Sequence, residues 1–411
     1  MTISVAHKTI ENAAHDLQEK WHAPFFLYDL DALKRHLASM TVPKGIRLFY
    51  AVKANPLSAI LKEIHQAGLR FDVASLGEMR QVLAQGVDAN NLINTGPAKS
   101  ANQIEQMLQA GVRCFVAESR QQLSLLNKLA DDLAVGQLDI LLRLQTPGPD
   151  QDCDTSERFD PLAMASVFGQ TIDEWSAENL EDYPALKVIG CHCFQWSNLL
   201  SVDDLLAHWK HIIPVMKQLS QNLDFDLKVV DFGGGVGVPY DKGHAAFDWQ
   251  DFCAQLGTIK DTLPGSEIWM ELGRYAVANC GAYYNPVIER KSNWGQTQLV
   301  MAGGVNHLMR PPLSGQAFPA TMVQESFERP SEFEEMDVYG PLCTGLDKLG
   351  RFSLPRTIKT GDWLRFDMVG AYGFTEGMPF FLCHTLPGEA VYQNQQCTPL
   401  RHPEEADSWL K

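Results

Sequence analysis

The sequence predicts an α/β protein: a (β/α)8 TIM barrel followed by an all-β module. Eight strand-like runs carry the prediction, at 48–54, 71–75, 92–96, 113–118, 139–145, 188–195, 229–235 and 267–274. Amphipathic helical stretches alternate with most of them, and eight units of that regularity favour closure over an open doubly wound sheet. After Arg274 the helical pattern gives way to short runs rich in β-formers, separated by Gly, Pro and Asp turns. A chain of 411 residues is long enough for both parts.

In chain order, 1–20 reads as an amphipathic helix, 24–28 as a strand, and Leu30, Leu33 and Leu37 mark a second helix. Helices are expected at 57–67, 77–85, 102–110 and 119–133, between the barrel strands. The connection 146–183 is long and opens on a Pro- and Asp-rich stretch. It reads as a surface loop at the barrel mouth, serving as a lid or a subunit contact. In the β module the strand-like segments are 281–290, 297–302, 321–326, 338–339, 363–368 and 380–384, and 403–411 reads as a polar tail. The domain boundaries are therefore 29–275 for the barrel, with 1–28 and 276–411 forming the β-rich module.

Composition narrows the function. The net charge of −16 argues against a nucleic-acid partner, which needs a basic face. No window reaches the apolar length of a membrane span, and the first residues lack the apolar core of a secretory signal. The nine cysteines are scattered without a Cys-x-x-Cys pair, which reads as a reduced, cytoplasmic chain.

The chemistry starts at Lys53, which follows the apolar run 48–52 and precedes the turn signal Asn55-Pro56. A lysine at a strand end either snorkels to solvent or, when buried, loses its proton more readily and suits Schiff-base chemistry with an aldehyde. The seventh strand runs into Gly233-Gly234-Gly235, whose backbone N–H groups can approach an anion, and Arg274 follows the eighth. In a barrel those two positions favour a phosphate. Glu271 then reads as a metal ligand, a base, or the partner of a basic heterocycle nitrogen. No His/Asp cluster at ligand spacing accompanies it, so no metal is expected. Lysine, phosphate site and facing acid together suit pyridoxal phosphate.

These motifs resemble those of the fold-type III pyridoxal-phosphate decarboxylases, which include diaminopimelate and ornithine decarboxylases and share their barrel with alanine racemase. The matching segments are Tyr50-Ala51-Val52-Lys53-Ala54-Asn55, Phe71-Asp72-Val73-Ala74-Ser75, Gly233-Gly234-Gly235, Glu271-Leu272-Gly273-Arg274, Gly340-Pro341-Leu342-Cys343 with Asp347, and Gly370-Ala371-Tyr372. The resemblance implies that Lys53 is the Schiff-base lysine and that Glu271 keeps the pyridine nitrogen protonated. Ser197, Gly234, Gly235, Arg274 and Tyr372 then hold the phosphate, while Asp72 and Arg143 orient the cofactor. Cys343, supplied by the second subunit of a homodimer, protonates the α-carbon after carbon dioxide leaves. A glutamate at 271 favours decarboxylation over racemisation, because the related racemases carry arginine there. Retention of Lys53, Glu271, Arg274 and Cys343 disfavours a non-catalytic relative.

Three departures bear on the site and the substrate. Where the family has His-x-Gly-Ser, the chain has Phe194-Gln195-Trp196-Ser197. Phe194 can still stack on the cofactor ring, and His192, two residues earlier, reads as a packed barrel histidine. Arg310 falls on the position that binds a distal substrate carboxylate in the diaminopimelate enzymes, but Ser314 replaces the tyrosine that follows it there. Thr344 replaces the acid that recognises a distal ammonium. A hydroxyl cannot offset a buried ammonium, whereas Arg310 can pair with a carboxylate. The expected substrate therefore has an anionic or polar distal end, as in glutamyl or citryl conjugates of siderophore and antibiotic pathways. The alternative is meso-diaminopimelate.

Overall fold

A computed structural model of the chain describes residues 5–6, 9–146, 166–241, 243–323 and 332–411. They fall into two compact units: 38–238 with 245–275, and the remainder. In the first unit eight parallel strands close a barrel: β1 (Ile46–Ala51), β2 (Arg70–Val73), β3 (Leu92–Asn94), β4 (Cys114–Ala117), β5 (Leu138–Arg143), β6 (Leu186–His192), β7 (Val229–Asp231) and β8 (Glu267–Leu272). Closure is made by β8 on β1, with Leu272 opposite Tyr50. Serine caps open the helices after three of these strands: Ser75 accepts from Glu78 N–H, Ser100 from Gln103 N–H and Ser119 from Gln122 N–H. Each cap satisfies a donor the helix leaves over and contributes about 1 kcal/mol.

Strand alternation explains what the barrel holds. Phe49, Ile93, Val116, Leu141, Ile189, Val229 and Trp269 form a buried apolar plug. Side chains two residues further along a strand point to the same face. That puts Glu118 beyond Val116, Arg143 beyond Leu141, Asp231 beyond Val229 and Glu271 beyond Trp269. On β6 the step from Ile189 to His192 is three residues, which a register shift against β5 accommodates. A greasy floor thus carries a ring of titratable groups.

Two strands end earlier than their patterns suggest. Lys53 stands in a short 3-10 turn, Val52–Ala54, just past β1. The run at 229–235 is a strand only to Asp231, because Gly233 (φ +62°) and Gly235 (φ +117°) turn into the left-handed region. Most of the connection 146–183, including its Pro- and Asp-rich start, lies outside the described residues. From 166 onward it carries the helix Ile172–Ser176, opened by a reciprocal Thr171–Glu174 capping box. Trp175 is buried there and donates from Nε1 to the Arg143 carbonyl at 2.8 Å.

The second unit is built on one ten-stranded mixed sheet. Phe25–Asp29 lies between Gly388–Gln393, which it pairs in parallel, and Gly281–Asn293, which it pairs antiparallel. Gln296–Met301, Phe333–Tyr339 and Lys348–Pro355 extend one edge, while Trp363–Asp367 with Ala320–Met322 branches from the long strand. Phe380–His384 is a correction to the sequence reading: no strand forms there. Leu382 (φ +60°) and Cys383 (φ +55°) both take left-handed backbone, which no strand tolerates. The helix Leu30–Ser39 contributes 30–37 to this unit, not to the barrel as the boundary at 29 expected. Asp31 of that helix accepts from Asn394 N–H at 2.8 Å, tying it to the hairpin of Gly388–Gln393 and Gln396–Arg401.

Candidate active site

The barrel mouth gathers Lys53, Asp72, Glu118, Arg143, His192, Asp231 and Glu271, supplied by seven strands or the turns just after them. Lys53 takes the solvent-facing one of its two readings: its side chain is exposed, with Nζ 5.7 Å from the Phe194 ring centre. The turn bearing it is fixed from both sides. Tyr50 donates to the Asn55 carbonyl at 2.9 Å, and the Asn55 side chain accepts from Leu57 N–H at 3.0 Å.

Arg143 is buried and forms an ion pair with Glu118 at 2.7 Å; Glu118 also accepts from Gly169 N–H at 3.0 Å. Phe168 lies under the same guanidinium at 4.5 Å. Removing one partner of so buried a pair costs about 3–5 kcal/mol. Nearby, burial brings the Lys99 ammonium down to about 8 against the pull of Glu118.

Asp72 is buried and accepts from the Thr95 hydroxyl at 2.6 Å. Burial first, then the charge of Glu271, raises its carboxyl to about 7 from 3.8, against the opposing pull of Lys53. The folded state therefore keeps a proton that the unfolded chain releases between about pH 4 and 7, so stability falls as pH rises through that window. Asp72→Asn should remove this slope. In urea unfolding of the cofactor-free protein, the variant's advantage is expected to be near zero at pH 4 and on the order of 3–4 kcal/mol above pH 7. An advantage that does not vary with pH would clear Asp72 as the cause.

Glu271, Asp231 and His192 are all buried, and their ligand-type atoms lie within 4.8 Å of one another. The sequence shows no such cluster, because its members sit on separate strands. Burial raises the Glu271 carboxyl, opposed by Lys53 and Arg143. Burial, reinforced by Glu271, raises Asp231 well above the usual carboxylate range. His192 is pushed well below the usual imidazole value by burial and by Arg143, so it is neutral.

Beside this cluster the glycine loop is held tight. Asp231 Oδ1 accepts from Gly233 N–H at 2.8 Å, and Glu271 N–H donates to the Gly233 carbonyl at 2.7 Å. A Cβ at Gly234 would stand 2.6 Å from the Glu271 carbonyl oxygen. Arg274 is buried just past β8, and Ser197 is partly buried just past β6. Trp196 stacks on His208 at 4.3 Å, which makes it a packing residue against the helix Val202–Asn222.

The β-rich unit holds the other candidates. Arg310 opens the helix Arg310–Ser314, lies over the Tyr372 ring at 4.9 Å and reaches Glu376 at 3.3 Å. The Ser314 hydroxyl donates to the Arg310 carbonyl at 3.0 Å, so it serves its own helix. Cys343 is exposed and Thr344 partly so. Their loop hangs on buried Asp347, which accepts from Val305 N–H at 2.7 Å and Leu342 N–H at 2.5 Å. Sequence reasoning assigned no role to Glu118, Lys99, Asp231 or Glu376. For Glu118 and Asp231 the signal was present, since each is an acid two residues beyond a plug residue at a strand end.

The profile described as pyridoxal-dependent decarboxylase, pyridoxal binding domain, matches residues 30–278. The chain belongs to this family. Among relatives of this pyridoxal-dependent decarboxylase, the diaminopimelate decarboxylase of Haemophilus influenzae is 30% identical over 87% of this chain and 85% of its own. The 2-[(L-alanin-3-ylcarbamoyl)methyl]-2-hydroxybutanedioate decarboxylase of Staphylococcus aureus is 30% identical over 90% of this chain and 94% of its own. The L-glutamyl-[BtrI acyl-carrier protein] decarboxylase of Niallia circulans is 26% identical over 95% and 94%. In fold, the diaminopimelate decarboxylase of Helicobacter pylori superposes with a TM-score of 0.83 at 23% identity, covering 96% of this chain and 98% of that one. The enzyme is thus a carboxy-lyase with pyridoxal phosphate as cofactor. Its barrel fits that group: an exposed amine at the mouth, a glycine loop with no room for side chains, and a buried glutamate whose Oε1 has no hydrogen-bond partner. Among the described residues, no helix is long and apolar enough to cross a membrane.

Proposed function

We propose that the enzyme removes the α-carboxylate of an amino-acid conjugate whose distal end is a carboxylate or polar group, in specialised biosynthesis such as siderophore assembly. The observation that carries this reading is Thr344 beside Cys343, a neutral hydroxyl where an ammonium-binding acid would be needed. Burying an ammonium against a hydroxyl leaves its charge uncompensated. The relatives named for a glutamyl-carrier substrate and for a carbamoylmethyl-hydroxybutanedioate support the same class.

Pyridoxal phosphate, when bound, supplies the electron sink for the pair left behind by departing carbon dioxide. Lys53 would hold its aldehyde carbon, and the glycine loop with Ser197, Arg274 and Tyr372 its phosphate. Phe194 offers a ring face, and Asp72 and Arg143 set the cofactor's orientation. Glu271 keeps a proton at the ring nitrogen. Cys343, from a second copy in a homodimer, delivers a proton from Sγ to the α-carbon. Arg310 receives the distal carboxylate, which shares the guanidinium with Glu376. The eight described cysteines are all free, consistent with a reducing cytoplasm.

Glu376 favours a second reading. A carboxylate beside Arg310 gives a distal zwitterion both partners it needs, and meso-diaminopimelate has such an end. Carbon dioxide release, measured across meso-diaminopimelate, lysine, ornithine and glutamyl- or citryl-conjugated amino acids, separates the two. A conjugate is expected to exceed meso-diaminopimelate by at least ~10-fold in kcat/KM, the low end of what an unpaired buried charge costs. Efficient turnover of meso-diaminopimelate would overturn the first reading.

A further inference from the structure

Three buried side chains at the barrel mouth point hydrogen-bonding atoms at one another. His192 Nε2 is 3.3 Å from Glu271 Oε1, and Asp231 joins them within 4.8 Å. Neither ring nitrogen of His192, nor Asp231 Oδ2, nor Glu271 Oε1 has a hydrogen-bond partner outside this trio. Leaving one such atom unsatisfied in a dry site costs about 1–3 kcal/mol, and a group of them at one point marks a shared purpose. We propose that Asp231 and His192 are positioning residues that hold Glu271 as a carboxylate facing the ring nitrogen of pyridoxal phosphate. The proposal rests on the role given to Glu271 above.

A dry glutamate prefers to be neutral. A neutral Glu271 would keep for its own oxygen the proton that the ring nitrogen needs. Two donors reverse that preference. Asp231 Oδ1 is committed to Gly233 N–H, so its proton sits on Oδ2, toward the trio. Burial and the charge of Glu271 both favour the protonated form of this carboxyl. His192 is neutral, and the tautomer with its proton on Nε2 would aim it at Glu271 Oε1, 3.3 Å away. The surrounding charges lean toward the carboxylate form of Glu271. Lys53 and Arg143 favour the carboxylate form of Glu271, Glu118 opposes it, and Asp72 acts on Asp231. Lys99 reaches only His192. The two donors of the trio thus act in the same direction as Lys53 and Arg143, and against burial.

The test is nitrogen-15 NMR of the holoenzyme loaded with ring-labelled pyridoxal phosphate, a readout of the proton's position independent of turnover. The parent is expected to show a protonated ring nitrogen. Asp231→Ala and His192→Phe should each move the resonance toward the unprotonated position, with the nitrogen-to-oxygen proton ratio falling about tenfold or more, as expected when a charged acceptor loses one donor. Asp231→Asn keeps both the Gly233 acceptor and a donor to Glu271, and should restore the parent resonance. The cofactor dissociation constant of each variant reports separately on the glycine loop. If both Asp231→Ala and His192→Phe keep the parent resonance, the proposal falls, even where Asp231→Ala weakens cofactor binding as a loop anchor would. An unprotonated nitrogen in the parent would instead overturn the role of Glu271 itself.

Discussion

Lys53→Ala is expected to abolish the yellow absorbance of the purified protein and to lower carbon dioxide release by at least ~100-fold. The lysine is exposed on a 3-10 turn fixed by Tyr50 and Asn55, outside the apolar barrel floor, so its loss leaves that floor packed. The variant should therefore unfold in urea near the parent's midpoint. Retained absorbance would show that the cofactor is held without Lys53. Mixing this variant with Cys343→Ala tests the shared dimer at the same time. Each variant is expected to be inactive by itself. Random reassortment of a symmetric dimer regenerates one intact site in half the molecules, so roughly a quarter of parental activity should return. No recovery would place Cys343 and Lys53 in one subunit's site or deny the dimer.

Glu271→Ala is expected to lower kcat by ~10²–10³-fold, the scale of losing one preorganised electrostatic partner of the reacting charge. Cofactor binding and colour should survive, because Lys53 and the glycine loop do not depend on the glutamate side chain. Glu271→Gln separates charge from shape: an amide fills the same space but cannot keep a proton on a ring nitrogen. It should be nearly as slow as the alanine variant. Turnover equal to the parent's in either variant would remove Glu271 from the reaction.

The barrel was legible because its units repeat the same local signals, an apolar run, a turn and in several of them a serine cap, which need no distant partner. Lys53, the glycine run, Glu271 and Arg274 were legible for the same reason, since each lies in a contiguous motif at a strand end. What could not be read was whatever depends on closure. His192, Asp231 and Glu271 sit on three neighbouring strands, and their meeting follows from barrel register, down to the shift between β5 and β6. Which of its two readings Lys53 takes was equally hidden, because a strand pattern does not reveal the turn that lifts its last residues out of the sheet. In the β-rich unit, apolar content misled at 380–384, where left-handed backbone follows Pro379. The strand at Lys348–Pro355 was missed, as charged residues and a glycine mask its alternation. The partnership of Arg310 with Glu376 joins positions far apart in sequence, with no local trace.

Asp347 gives the loop ahead of it an unusual freedom. Its two carboxylate oxygens grip the backbone of Val305 and Leu342, and its own N–H is bonded to the Thr344 carbonyl at 3.2 Å. The shape of the loop is thus set by main-chain bonds, one buried acid and the Thr344 hydroxyl, which accepts from Leu346 N–H at 3.3 Å. Cys343 and Thr344 sit side by side at its tip. Under the roles proposed for this pair, a residue at 344 whose side chain still accepts from Leu346 N–H would change the charge offered to the substrate end while Asp347 keeps Cys343 in place. On that reading, substrate choice and proton delivery are divided between two adjacent residues.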